Sequence, residues 1–173
     1  LLFGYAIAFT HTGVKATYPL SDKAAAMVWL HNGWDVARDN NRWPSVGAQL
    51  ALTPTGALSA YLNYNGGPER ADSSDVRHLV DVVGVWKPTG RLTLGVNGDV
   101  GVEAGAAADG GRAVWWGVAG YGRLAVTDPV AVAVRAEVFD DRAGARTGTA
   151  QRLMEVTVTP SFAVRAGLVV RCE

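Results

Sequence analysis

The feature that most constrains this chain is an alternation of apolar and polar residues within segments of strand length. Segment 91–103 places Leu92, Leu94, Val96, Val100 and Val102 on one side and Thr93, Asn97, Asp99 and Glu103 on the other. The same period of two recurs in segments 57–65, 130–139, 153–159 and 162–171. Because successive side chains of a strand point to opposite faces, this pattern predicts a sheet with one apolar and one polar face.

Turn signals divide the chain into further segments of similar length. Five short signals, at 19–22, 53–56, 87–90, 127–129 and 159–161, alternate with four longer polar segments at 35–44, 66–77, 104–113 and 140–152. The intervening segments predict ten strands: 12–20, 24–34, 45–53, 57–65, 78–87, 91–103, 114–126, 130–139, 153–159 and 162–171. Segment 24–34 lacks a clean alternation and also suits a buried strand or a helix start, but its place between a turn and a loop favours a strand.

A soluble β-sandwich would also alternate, so the solvent of the apolar face needs a separate argument. This face is built of small aliphatic residues, and charges of both signs fall at mid-strand positions of the other face. A dry core would not accept those charges, whereas a water-filled lumen would. We therefore predict a transmembrane antiparallel up-and-down β-barrel whose pore is lined by Asp81, Asp99, Glu103, Arg123, Arg135, Glu137, Glu155 and Arg165. These charges could set ion selectivity, or they could pair with neighbouring strands and hold the wall together.

Aromatic residues stand at the ends of the predicted strands. Tyr18, Trp86 and Phe162 lie beside short turns, and Trp34, Tyr64 and Trp116 lie beside long loops. Two girdles at the two membrane interfaces are typical of outer-membrane barrels, so we predict that these six residues form them.

Composition excludes several other classes of protein. No apolar run approaches the roughly 20 residues of a membrane-spanning helix. Lys plus Arg and Asp plus Glu both number 16, so no net charge attracts nucleic acid. The single cysteine, Cys172, excludes an internal disulfide.

Several residues of a type that carries chemistry have simpler structural interpretations. His11, His31 and His78 show neither metal-ligand spacing nor a Gly-x-Ser-x-Gly motif, so we expect them to hold loops rather than catalyse. The polar loop 35–41 lacks the acidic spacing of an EF-hand, so an ordinary loop is expected rather than a calcium site. Loop 140–147 could fold into the pore, but a solvated hairpin tip is the expectation. No catalytic residue, metal site or cofactor is predicted.

Several stretches resemble the OmpL-like β-barrel porin family. They are HNGWD at 31–35 with DNN at 39–41, NYNGGPE at 63–69, RHL at 77–79 with Asp81, WWGVAGY at 115–121, and Arg135, Glu137, Phe139 and Asp140 with Gly144, Arg146, Thr147, Gly148 and Thr149. The resemblance covers nearly the whole chain. It implies a Gram-negative outer-membrane location and a passive channel, with no catalytic residue and no cofactor.

The sequence thus predicts a single porin domain over 1–173 that contacts outer-membrane lipid and passes small hydrophilic solutes. Members of the resembled family are longer, and the chain starts without Met and ends at Glu173 without a terminal aromatic, so we expect a fragment of a larger barrel. A non-conducting barrel that anchors or binds, and a soluble β-barrel or sandwich, are the alternatives. An enzyme is not expected. The sequence leaves the solute, the ion selectivity and the oligomeric state open.

Overall fold

The computed structural model describes all residues, 1–173, and contains ten strands and one short helix. The strands are β1 (Gly13–Ser21), β2 (Ala24–His31), β3 (Ser45–Thr55), β4 (Leu58–Pro68), β5 (Val76–Trp86), β6 (Leu92–Glu103), β7 (Ala113–Ala125), β8 (Val130–Asp141), β9 (Gln151–Arg165) and β10 (Leu168–Arg171). The helix is a single π-turn, Leu2–Ala6. It is too short to cross a membrane, and no other helix is present.

All ten strands form one antiparallel sheet, and their order in the sheet is their order in the chain. Every strand pairs with its neighbours in sequence, while β1 and β10 form the two edges and are not paired with each other. The predicted all-β, up-and-down architecture is confirmed. The two-sheet sandwich is not formed, and the sheet is open.

The connections alternate in length as predicted. Short turns at 22–23, 56–57, 87–91, 126–129 and 166–167 lie at one end of the sheet, and long loops at 32–44, 69–75, 104–112 and 142–150 lie at the other. Segment 24–34, which lacked alternation, is a strand up to His31. Strand β2 ends there because Gly33 and Asp35 both have positive φ, which an extended strand does not accommodate.

The predicted turn at 159–161 is wrong. Strand β9 continues through Pro160 to Arg165, and the turn to β10 follows at 166–167. The carbonyl oxygen of Pro160 accepts a hydrogen bond from the N–H of Cys172, just after β10 ends at Arg171. The backbone nitrogen of Pro160, which carries no hydrogen, therefore faces the end of the short edge strand β10. A proline is tolerated in a strand at such a position.

The sheet has two chemically different faces, as the alternation predicted. The outer face consists mainly of Val, Leu and Ala side chains, and in β9 Met154 and Val156 are 74% and 73% exposed. The inner face is the one that carries residues 1–11. We call these residues the inner segment.

The inner segment supplies much of the buried apolar core. Leu2, Ala6 and Ala8 are buried and pack with Trp115 and Phe139 of the inner face. The segment contacts β6, β7 and β8. Its position was not predicted from sequence, because eleven residues without a regular period do not indicate which surface they cover.

Candidate pore lining

Polar residues of neighbouring strands form rows across the inner face. Seven of the eight predicted lining residues lie on this face within the strands: Asp81, Asp99, Glu103, Arg123, Arg135, Glu137 and Glu155. The eighth, Arg165, is exposed at the end of β9, where the register with β10 shifts. Their role as a pore lining stays a prediction.

Three glutamates of this face are paired with arginines. Oε2 of Glu103 accepts hydrogen bonds from Nε and Nη2 of Arg77 at 3.0 and 2.7 Å. Arg135 lies between two carboxylates, with Nε 3.1 Å from Glu137 and Nη2 2.5 Å from Glu155. The Arg77–Glu103 and Arg135–Glu155 pairs join neighbouring strands, whereas Arg135 and Glu137 both belong to β8, and together the pairs place both signs of charge on the inner face.

Two aspartates of the same face have no arginine partner. Asp81 and Asp99 are direct cross-strand neighbours in β5 and β6. Amides hold Asp81: Nδ2 of Asn97 donates to its Oδ1 at 2.7 Å, and Nδ2 of Asn63 donates to its Oδ2. Asn63 in turn accepts a hydrogen bond from Nε2 of Gln49 at 2.7 Å. Asp99 is 2% exposed, and neither of its carboxylate oxygens has a hydrogen-bond partner.

Two arginines and two tryptophans meet at the long-loop end of the inner face. The guanidinium carbons of Arg77 and Arg146 lie 4.6 and 4.5 Å from the ring centre of Trp34. Both guanidinium groups also lie over Trp115, and the two indoles are 6.4 Å apart and nearly perpendicular. Cation–π contact stabilises this arrangement, which we call the Arg–Trp cluster.

Trp115 fits against the sheet because its neighbour in the register is glycine. A Cβ atom at Gly101 would lie 2.0 Å from Cε2 of Trp115, so no larger residue can occupy this position while the indole keeps its place. The indole Nε1 donates to the carbonyl oxygen of Ala6 at 3.2 Å. Trp115 therefore joins the sheet to the inner segment.

The expectation of a solvated hairpin tip at 140–147 is wrong for Arg146. The carboxylate of the fully buried Asp141 accepts hydrogen bonds from the N–H groups of Ala145, Arg146 and Thr147 at 2.9, 2.9 and 2.7 Å and so folds the loop back. Arg146 then reaches inward, and its Nε donates to the carbonyl oxygen of Tyr5 at 2.8 Å. Burial and the nearby Arg77 lower the pKa of Arg146 to about 10, so this side chain remains charged at neutral pH.

In the loop 35–41, the carboxylate oxygens of Asp35 and Asp39 accept hydrogen bonds from the protein backbone. Oδ1 of Asp35 accepts hydrogen bonds from the N–H groups of Phe9 and Thr10 at 2.6 and 2.8 Å. Oδ1 of Asp39 accepts one from the N–H of Asn41 at 2.8 Å. These contacts fix the inner segment and the loop itself.

The three histidines divide between the two faces of the sheet. His31 is buried, with Nε2 2.9 Å from Oδ1 of Asn65, and its ring lies 4.5 Å from that of His11. Burial and the neighbouring His31 lower the pKa of His11. His78 lies on the outer face, where its Nδ1 is 2.8 Å from the hydroxyl oxygen of Tyr64. The histidines therefore do not share one site.

Five of the six predicted girdle residues lie on the outer face. Tyr18, Trp86 and Phe162 are exposed near the short turns, Tyr64 is exposed near a long loop, and Trp116 is half-buried. The prediction does not hold for Trp34, which is 9% exposed and belongs to the Arg–Trp cluster. Trp34 follows β2 in a loop that turns inward, so its side chain leaves the outer face.

One antiparallel sheet with an apolar outer face and a charged inner face is the wall of a transmembrane β-barrel of the porin class. The whole chain, residues 1–173, matches the model of the family described as "Putative beta-barrel porin-2, OmpL-like", and the chain belongs to this family. Comparisons with curated proteins and with solved structures found no match. Membership confirms the resemblance stated above and supports a porin-type role, and an outer-membrane location is consistent with it.

Proposed function

We propose that the chain forms the wall of an outer-membrane channel through which small hydrophilic solutes and ions diffuse passively. One observation carries this proposal. Arg135, Glu137 and Glu155 lie at mid-strand depth on the inner face, while Val134, Ala136 and Val156 occupy the same depth on the outer face. Buried charges in a dry core cost several kcal/mol each, whereas a water-filled lumen accepts them.

The two edges of the sheet point to a wall larger than these ten strands. In lipid, the unpaired N–H and C=O groups of β1 and β10 would each cost several kcal/mol. Further strands paired to these edges would satisfy the groups and close the barrel. The width of a lumen grows with the number of strands, so such closure also favours conduction.

The test uses the full-length gene product that contains this chain. It is reconstituted into lipid vesicles, and the release of a small entrapped sugar is compared with that of a dextran. Release of the sugar alone supports a size-limited pore, and vesicles that retain both solutes contradict it. Empty vesicles and vesicles with heat-denatured protein are the controls.

A second candidate is a non-conducting barrel that anchors or binds, because the inner face is partly covered. The inner segment packs on β6, β7 and β8, and Arg146 extends from loop 142–150 to the same region. For this candidate the wild-type vesicles stay sealed, and replacing loop 142–150 with a short Gly-Ser turn makes them leak. A passive channel instead leaks before the replacement.

A further inference from the structure

We propose that Asp81 and Asp99 bind a divalent cation, of the chemical class of Ca²⁺, on the inner face of the sheet. This site concerns the folded wall itself, and it does not require that the barrel conducts. It differs from the loop 35–41, whose carboxylate oxygens accept backbone N–H groups.

The register brings the two carboxylates together. Asp81 of β5 and Asp99 of β6 are direct cross-strand partners with side chains on the same face. Such partners have Cβ atoms about 5 Å apart, and like charges placed directly opposite each other are destabilising. The pair therefore needs a positive charge between its members or a proton on one of them.

No side chain of the protein supplies that positive charge. Glu103, Glu137 and Glu155, the other acidic residues of the predicted lining, each lie within ion-pair distance of an arginine. Neither Asp81 nor Asp99 has a lysine or arginine within 4.0 Å. The paired glutamates show that this wall normally compensates its acids, and the two aspartates depart from that pattern.

Asp99 supplies the observation that points to a ligand. Only 2% of the residue is exposed to solvent, and both carboxylate oxygens lack a hydrogen-bond partner. A buried carboxylate without a partner carries a desolvation cost that a bound cation would offset. Its position opposite Asp81 directs it toward the only other uncompensated acid of the lining.

The surroundings suit a hard, partly hydrated cation. Amide donors from Asn63 and Asn97 orient the carboxylate of Asp81 and leave lone pairs on both oxygens. A cavity of about 210 Å³ is lined by Asp81, Asn63 and Asn65 but not by Asp99, so it gives room for coordinating water on the Asp81 side of the pair. Two carboxylates carry two negative charges, which a divalent cation neutralises, and all donors here are oxygen, as Ca²⁺ prefers.

Terbium luminescence tests the site directly, because Tb³⁺ binds oxygen ligands like those of Ca²⁺ and is excited by energy transfer from a nearby indole. Trp115 lies against Gly101, the next inner-face residue of β6 after Asp99, and so provides the indole. The full chain is refolded in detergent micelles at neutral pH and titrated with Tb³⁺, and Ca²⁺ is then added as competitor. We expect saturable luminescence that Ca²⁺ displaces.

Two variants assign the site. Asp99→Asn and Asp81→Asn should each bind Tb³⁺ about tenfold more weakly or less, because each removes one ligand charge. Asp109→Asn, the same replacement in the exposed loop after β6, should bind like the wild type. Equal affinity of Asp99→Asn and the wild type would overturn the proposal. So would the absence of saturable binding, which would mean that the pair holds a shared proton only.

Stability supplies a second readout that does not depend on luminescence. Ca²⁺ should raise the urea midpoint of the wild type and leave that of Asp99→Asn unchanged. Without Ca²⁺, Asp99→Asn should be at least as stable as the wild type, because it removes the like-charge repulsion. If Asp99→Asn does not fold, a wild-type midpoint that Ca²⁺ does not change overturns the proposal by itself.

Discussion

The guanidinium of Arg77 donates two hydrogen bonds to one oxygen of Glu103, at 3.0 and 2.7 Å, across the pair of strands β5 and β6. The two side chains are 10% and 2% exposed. Arg77 also covers Trp34, so one residue joins the ion pairs of the inner face to the Arg–Trp cluster. Removing Glu103 would leave Arg77 without an ion-pair partner, and removing Arg77 would leave the buried Glu103 with only the more distant Arg70, whose Nε lies 4.0 Å from Oε1.

Arg77→Ala should therefore lower the free energy of unfolding by about 3 kcal/mol, the lower end of the usual cost of breaking a buried ion pair, because Arg70 still lies near Glu103. Urea titration of the refolded protein in detergent micelles, followed by tryptophan fluorescence, measures the change. The double variant Arg77→Met/Glu103→Leu removes both charges and keeps apolar volume, so it should cost clearly less. Equal losses in the single and double variants would contradict this account of the pair.

Asp141 should control the position of loop 142–150. Its carboxylate accepts three backbone N–H groups of the loop, so Asp141→Ala should release them and remove Arg146 from the Arg–Trp cluster. Hydrogen–deuterium exchange by mass spectrometry should show faster exchange at 145–147, while exchange in β5 and β6 stays unchanged. Asp128→Ala, in the short turn 126–129, is the matched control and should leave the loop protected.

Two adjacent valines of β5 test the assignment of the faces. Val82 is 47% exposed on the outer face, and Val83 is half-buried on the inner face. Val82→Arg should cost about 2 to 4 kcal/mol of folding free energy in lipid, because arginine at mid-depth then faces hydrocarbon. Val83→Arg should cost less, because it faces the polar side near Asp81. Folding yield in phosphatidylcholine vesicles, read from heat-dependent gel mobility, compares them, and the reverse order would contradict the face assignment.

The strands and their faces could be predicted because the signal is local. A period of two assigns Val96 outward and Asn97 inward wherever the strand pairs, and short and long breaks alternate in the sequence itself. The predicted turn at 159–161 is wrong because it rests on Pro160, and proline marks turns in most contexts. Only the position of β10 shows that its missing N–H falls at a strand end.

The site was less predictable because its central contacts join distant parts of the chain. Trp34 and Arg146 are 112 positions apart, and nothing periodic in either loop indicates that both turn inward. The alternation predicts which charged residues face inward, but it does not predict which residues they pair with. That Glu103 has an arginine and Asp99 has none follows from register and side-chain geometry, which one sequence does not contain.

The pH dependence of the inner segment should follow His11. Burial and the neighbouring His31 lower the pKa of His11, while Asp35 acts weakly in the opposite direction, so the folded state favours the neutral ring. A lowered histidine pKa means that the unfolded chain binds the proton more readily. The stabilisation contributed by neutral His11 is therefore present above its unfolded pKa of about 6.5 and is lost as pH falls below that value.

Nuclear magnetic resonance of the histidine ring protons measures this effect in detergent micelles. The midpoint of His11 should lie below 6.5, the ordinary value. The fluorescence of Trp29, whose ring lies 6.1 Å from that of His11, should change with the same midpoint as the charged ring forms beside it. His11→Gln should abolish the fluorescence change and flatten the stability profile below pH 6.5. His78→Gln, on the outer face, should leave both unchanged, and a His11 midpoint above 6.5 would show that its ring does not lie against His31 in the folded protein.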